Sequence, residues 1–335
     1  MKIAVVILNW NGKALLERFL PAIITHTTNA TIYVADNAST DDSIRFCETV
    51  YSNQVHIIKN ATNGGYAGGY NEALKKIQAD IYILLNSDVE VTENWLQSII
   101  KIFKEDTTVA AVQPKIRDLK RPTHFEYAGA AGGYIDALGY PFCRGRIFDY
   151  CEEDTGQYDD NTSILWASGA CLAIRSTVFW EVNGFDEDYF AHQEEIDLCW
   201  RIKNKGYHIM ACGQSTVYHL GGATLSAASP KKTFYNFRNS LLTVVKNAPS
   251  KRYFLIVILR LILDGIAGVK FFAEAKPKHT FAIIQAHFSF YSLLPRFLNK
   301  RKQLQQKSEY AVYSSIIYAY FFKKIKTYTS LLEKR

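Results

Sequence analysis

Ile81-Tyr-Ile-Leu-Leu-Asn-Ser-Asp88 opens on five uncharged residues and closes on a polar group. A short apolar run that ends so abruptly reads as a buried strand, with its aspartate at the carboxyl end. Three earlier runs repeat the pattern: Ile3–Leu8, Thr31–Ala35 and Val55–Ile58. Helix-compatible stretches separate them, among them Ala14–Thr25 and Asp41–Val50, the second with Ser39 or Thr40 as N-cap. The alternation predicts an α/β fold with a mostly parallel central sheet flanked by helices. In such sheets a ligand lies beyond the carboxyl ends of the strands. The residues that follow each run are Asn9-Trp10-Asn11, Asp36-Asn37, Asn60 to Gly65, and Asn86-Ser87-Asp88. Asn, Asp and Gly also dominate ordinary turns, so it is their recurrence at all four ends that argues for a crevice.

Asn63-Gly-Gly-Tyr-Ala-Gly-Gly-Tyr-Asn71 has glycine spacing like a dinucleotide loop, but it follows the third strand. The dinucleotide fingerprint belongs after the first, so this spacing argues against a nicotinamide-dependent oxidoreductase. The glycines are expected to let backbone approach a ligand, or to let a helix over Tyr70–Gln78 pack closely. Further on, Cys171–Ile174 reads as a strand and Ser176 opens a helix. A second helix spans Glu194 to Lys205 and stops at Gly206. Its first turn holds Glu194, Glu195 and Asp197. A helix N-terminus favours negative charge, yet crowded carboxylates raise one another's pKa, as a general base requires. The stretch 115–160 has no clear period, and His219, ending a strand, reads by itself as structural.

With 335 residues, 48% of them apolar, the chain supports one large α/β domain and an appendage. The apolar run after Lys2 spans six residues, too short for a signal peptide, and the six cysteines include no Cys-x-x-Cys pair. A cytoplasmic, reduced setting is the expectation. Charge is divided unevenly: residues 1–230 carry 19 Lys and Arg against 28 Asp and Glu, and residues 231–335 carry 20 against 4. A basic, aromatic-rich tail implies an anionic partner, either phospholipid headgroups or nucleic acid. Tyr253–Ala273 is apolar but contains Arg260, Asp264 and Lys270, each costing about 2.5–3.5 kcal/mol at a bilayer centre. A helix lying in the membrane interface suits this segment and Phe281–Leu298 better than a spanning one. The rival, non-enzymatic reading is a nucleic-acid-binding protein that uses the same tail.

Val6-Ile-Leu-Asn-Trp-Asn11, Val34-Ala-Asp-Asn-Ala-Ser39, Asn63 to Asn71, Leu84-Leu-Asn-Ser-Asp88 and Glu194-Glu-Ile-Asp-Leu-Cys-Trp-Arg201, in that order, resemble glycosyltransferase family 2, especially its rhamnosyltransferase-like members. The resemblance spans roughly residues 1–225. It implies a GT-A fold over residues 1–228, divided near 114 into a nucleotide-sugar half and an acceptor half, with 229–335 as a membrane-associating helical region. It also implies inverting transfer of a sugar, with rhamnose a candidate, from a nucleoside-diphosphate sugar. The acceptor would be a saccharide or a lipid-linked one, in cell-surface polysaccharide synthesis at the inner face of the plasma membrane, with no nucleic acid involved. By position, Asp88 would ligate Mg²⁺ or Mn²⁺ with His219, and Asn9, Asp36, Asn63, Gly65 and Asn86 would hold the donor. Glu195 stands at the catalytic-base position, with Glu194 beside it and Asp197 in support. Trp166, Ser168, Gly169 and Ala170 would line the acceptor side. Asn86 replaces the first aspartate of the family's Asp-x-Asp element, and Glu195 replaces its commoner aspartate. No Gln-x-x-Arg-Trp occurs, which argues against a processive synthase.

Overall fold

A computed structural model describes residues 1–221, 229–249, 252–304 and 309–334. The first half runs β1 (Ile3–Asn9), α1 (Lys13–His26), β2 (Thr31–Asp36), α2 (Ser43–Val50), β3 (His56–Lys59), α3 (Gly65–Leu74), β4 (Ile81–Asn86), β5 (Val89–Val91), α4 (Trp95–Glu105) and β6 (Val109–Asp118). Six short strands follow: β7 (Arg121–Phe125), β8 (Gly133–Asp136), β9 (Pro141–Cys143), β10 (Arg146–Ile147), β11 (Tyr150–Cys151) and β12 (Thr162–Ser163). Then come β13 (Cys171–Arg175), α5 (Ser176–Glu181), α6 (Glu194–Lys205) and β14 (His208–His219). The C-terminal part comprises α7 (Pro230–Asn247), α8 (Tyr253–Ala273), α9 (Pro277–Lys302), β15 (Ala311–Tyr313) and α10 (Tyr328–Glu333).

The central sheet is ordered β12-β14-β6-β13-β4-β1-β2-β3. Its four N-terminal strands are parallel, as the βα alternation predicts. The sheet as a whole is mixed, because β13 runs antiparallel to both β4 and β6. The reversal arises where the chain enters β13: Asn86 N donates to Ala170 O at 3.0 Å, so β13 starts at the end where β4 stops. The segment Ser168–Ala170 is thereby delivered beside Asn86-Ser87-Asp88.

Burial on both faces follows from the two-residue period of a strand. In β1, Ile3, Val5 and Ile7 join one core cluster with α1 and α4 side chains, while Ala4 and Val6 join the other, beneath α3, α5 and α6. The glycine segment differs from expectation: α3 begins at Gly65, not Tyr70, and ends at Leu74. Gly65 has φ +68°, and a Cβ there would run into the Phe190 carbonyl. A Cβ on Gly69 would lie 2.8 Å from Asn37 Nδ2, so the glycines are a packing surface between the helix and the sheet edge.

Much of the aperiodic stretch 115–160 forms a second sheet, ordered β11-β10-β9-β8-β15. Its last member comes from the C-terminal segment and pairs in parallel with β8. Behind the first sheet, α7 packs along α9 and α8. Arg260 and Asp264 of α8 face inward, 2% and 1% exposed. Arg260 lies over the Tyr140 ring and donates to Leu138 O, and Asp264 meets His287 Nε2 at 3.2 Å. The opposite face of α8 carries Phe254, Ile262, Ile266 and Val269, each more than half exposed, continued by Phe281 and Phe288 on α9. No described helix is long and apolar enough to cross a membrane.

Candidate active site

Four strand ends and two loops converge at the carboxyl edge of β1, β2 and β4. At the end of β1, Asn9 is fully buried, and its Nδ2 reaches Asp36 Oδ1 at 3.3 Å, Ser39 Oγ at 3.1 Å and Ser43 Oγ at 2.9 Å. Asn9 Nδ2 therefore braces the loop before α2, while its Oδ1 has no hydrogen-bond partner, and the second oxygen of Asp36 accepts from Ser39 N. Asn37 donates to Asn63 Oδ1 at 3.0 Å and to Gly65 O at 2.9 Å, and Asn63 in turn accepts from Gly65 N. These bonds set the crevice wall on the β2–β3 side.

At the end of β4, Asp88 Oδ1 meets His219 Nε2 at 3.1 Å. The strand pairing that aligns His219 with Val89 brings them together. On the far side of the ring, Glu126 Oε1 lies 3.4 Å from His219 Nδ1, and Glu126 Oε2 accepts from Ala128 N. All three side chains are buried. Burial by itself would lower the imidazole pKa, but the hydrogen bonds with Asp88 and Glu126 outweigh it and push it up to about 10. Glu126 escaped the sequence reading because it sits in the stretch that has no period.

Asp88 and Glu126 make the pocket net negative, which suits Mn²⁺ or Mg²⁺; Asp88 would be the carboxylate ligand, and His219 would join it only by giving up the ring proton that now faces Asp88. Among the described residues no three metal-binding side chains converge on one point. A cation held here would therefore complete its shell from phosphate oxygens and water.

The second loop carries the acidic helix. Tyr66 N and Ala67 N both donate to Phe190 O, and Tyr66 Oη donates to Gly169 O at 2.8 Å. Asn71 donates to Phe185 O and to Glu187. The start of α3, the segment 168–170 and the loop before α6 are thus one hydrogen-bonded unit. At its edge stand Glu194 and Glu195, each with an Oε2 atom that is buried and has no hydrogen-bond partner. Burial raises the Glu195 carboxyl to about 7 against the bonds from nearby backbone N–H groups. Burial, then the neighbouring Glu195, hold Glu194 well above its ordinary value.

Two expectations are corrected. Asp197 does not face the crevice: it is fully buried, its Oδ2 pairs with Arg201 Nε and Lys246 Nζ at 2.8 Å each, and its Oδ1 accepts from Asn247 at 2.8 Å. With both oxygens engaged it cross-links α6 to α7. Trp166 is 2% exposed, its indole N–H bonded to Tyr134 O and its ring packed against Gly133, so it offers no face to a sugar. Ser168 and Ala170 are likewise buried, with Ser168 N bonded to Gln113 and Ala170 N to Ser168 Oγ. Of that set only Gly169 retains surface.

The family model described as Glycosyl transferase family 2 matches residues 4–182. The chain is 26% identical over 223 residues to N-acetylglucosaminyl-diphospho-decaprenol L-rhamnosyltransferase of Mycobacterium tuberculosis, covering 61% of this chain and 71% of that protein. It is 23% identical over 219 residues to the low-salt glycan biosynthesis hexosyltransferase Agl10 of Haloferax volcanii, covering 64% and 66%. Among solved structures, GalNAc-T7 with UDP, GalNAc and Mn²⁺ aligns with a TM-score of 0.59 at 15% identity, over 88% of this chain and 57% of that one. The shared architecture is the GT-A fold.

Proposed function

The chain belongs to glycosyl transferase family 2, and from that premise we propose an inverting, cation-dependent transfer of a sugar from a nucleoside diphosphate to a saccharide or lipid-linked acceptor. The observation that carries the reading is the pairing of Asp88 with His219 just after β4, beside the 168–170 segment that Tyr66 ties by hydrogen bonds to the loop leading into Glu194 and Glu195. Asp36, Asn63, Gly65 and Asn86 surround the donor side. A divalent cation bound by Asp88 and His219 would offset charge growing on the leaving diphosphate.

Glu195 then acts as the base. Its pKa near 7 lets it be ionised at neutral pH yet remain basic enough to take a hydroxyl proton. Its unpartnered Oε2 takes the proton of the acceptor hydroxyl. The freed oxygen bonds to the anomeric carbon as the bond to the diphosphate breaks on the opposite face, inverting the centre. Glu194 stands beside the base, its carboxyl pushed well above its ordinary value by burial and then by Glu195.

The mycobacterial relative is named for N-acetylglucosaminyl-diphospho-decaprenol, which supports a lipid-linked acceptor and, with the rhamnosyltransferase-like motifs, rhamnose as the sugar. A role in cell-surface glycan synthesis accords with both relatives' names. The exposed apolar face of α8 and α9 beside a strongly basic tail supports peripheral attachment to an anionic inner-leaflet surface. The nucleic-acid reading has no such support: Arg238, Lys246, Arg260 and Lys300 are spent on internal contacts. A thermal-shift screen of nucleoside diphosphates and their sugars, with and without Mn²⁺, tests the core of the proposal. Stabilisation by one nucleotide that grows with Mn²⁺ is expected; no response to any of them would overturn it.

A further inference from the structure

The loop that presents the two glutamates has an unusual backbone. Phe190, His192 and Gln193 have φ of 63°, 68° and 74°, and none is glycine. Side-chain-bearing residues stay in that region only where their surroundings hold them. The restraint comes from the C-terminal helices. Asn239 of α7, fully buried, aims its Nδ2 at three loop carbonyls: Tyr189 at 3.1 Å, Ala191 at 2.9 Å and His192 at 2.7 Å. Arg238 donates to Asp188 O and Tyr189 O, both at 3.1 Å. Lys246 grips Asp186 at 2.7 Å, and Lys300 of α9 bridges Asp186 and Asp188 at 2.5 and 2.6 Å.

We propose that α7 and α9 belong to the transfer machinery: Asn239, backed by Lys246 and Lys300, is a positioning residue that fixes the 186–193 loop so that Glu195 points at the acceptor. The inference rests on Glu195 as the base. It assigns to the C-terminal helices a task separate from membrane contact, because the bonds lead to the loop's own carbonyls and carboxylates. It also accounts for a polar side chain kept with no exposure on α7.

Asn239→Asp isolates this role. Asn239 Oδ1 accepts from Arg238 Nε at 2.8 Å, a bond that the aspartate retains, while the donors to the three carbonyls are lost. Lys300→Gln, altering a side chain 26% exposed, covers the case in which the buried variant does not fold. Both would be measured in the full chain for donor binding by calorimetry, kcat, donor KM, the pH profile and thermal melting, with Glu195→Gln in parallel. Donor affinity should be unchanged, kcat should fall by up to about 100-fold, as displacement of a reacting group by about 1 Å would cause, and the acid limb of the profile should move. Wild-type kcat and pH profile in folded variants would overturn the proposal while leaving the base in place. A parallel loss of donor binding and melting temperature would also overturn it, reducing the contacts to support of the fold. Activity retained by Glu195→Gln would instead remove the base reading, and this inference with it.

Discussion

His219 Nε2 and Asp88 Oδ1 stand 3.1 Å apart although 131 residues separate them in the chain. The contact exists because β5, immediately after Asp88, pairs with the end of β14. Asp88→Ala should reduce transfer at least about 100-fold, the scale of losing one transition-state charge partner, and should also lower the melting temperature, since Asp88 lies buried against His219 in the turn between β4 and β5. Calorimetric titration with Mn²⁺ in the presence of nucleotide should lose its signal. Chelation of the wild type should abolish activity, and added Mn²⁺ should restore it.

Glu195→Gln should be inactive and, at alkaline pH, more stable than the wild type. The folded carboxyl titrates near 7 against an ordinary 4.5. A raised pKa means its favourable protonated form persists in the fold below about 4.5, and that contribution is lost as pH climbs to 7. Above that, an ionised buried carboxylate costs about 3 kcal/mol, which glutamine avoids. Urea melts at pH 5 and pH 8 measure the difference. Wild-type kcat/KM should rise with pH through about 7; a flat profile from pH 5 to 8 would rule out this base.

Asp197→Asn should be felt in stability first. Burial would raise the Asp197 pKa, but Arg201 and Lys246 outweigh it and hold it low. Neutralising it leaves two buried cations short of a partner, at a cost of about 3–5 kcal/mol. Because its depressed pKa sustains stability only above about 3.8, the wild type should lose this contribution on acidification below that value, and the variant should show a shallower acid transition. Chemical denaturation across pH 2–7 reads both.

Trp166→Ala should destabilise by about 3–5 kcal/mol through the cavity it leaves in a core position. Trp166→Phe, which keeps most of that volume, should show the wild-type acceptor KM. A large rise in KM in the phenylalanine variant would return the indole to the acceptor site.

Ile262→Asp combined with Val269→Asp places two carboxylates on the exposed face of α8. Flotation with vesicles containing anionic lipid should weaken at least about tenfold, while melting temperature and turnover of a water-soluble acceptor stay as in the wild type. Equal flotation of both proteins would argue that this face meets something other than lipid.

The parallel half of the fold was legible because each strand is a short apolar run and each polar end marks the same sheet edge. Strands β1 to β4 fall within one residue of their expected limits. Asp88, Glu194 and Glu195 stand out in the sequence for the same reason, and in the fold Asp88 follows β4 while the two glutamates open α6. What escaped notice depends on long-range pairing. The reversal at β13 pairs Cys171 with Leu85, the second sheet is completed by Ala311 pairing with Ile135, and β8 to β12 are two to four residues long, too short to show a period. Glu126 became visible only through that pairing. Trp166 and Asp197 were misread because composition cannot tell a side chain aimed at a crevice from its neighbour aimed at the core. The clamp from α7 had no signal, since nothing local to Asn239 ties it to residues 189–192, some 50 positions earlier in the chain.

Strand β15 carries one more lesson, for anyone trimming the chain. It returns from beyond α9 to lie along β8, and Asp136 accepts from the backbone N–H of Ile316 while its own strand is covered. A protein cut short after α9 would expose the row of amides and carbonyls that Ala311–Tyr313 now satisfies, and open sheet edges recruit one another. Fragments bounded by the family match at residue 182, or by the end of the long helices, should therefore precipitate or self-associate on expression where the full chain remains monodisperse.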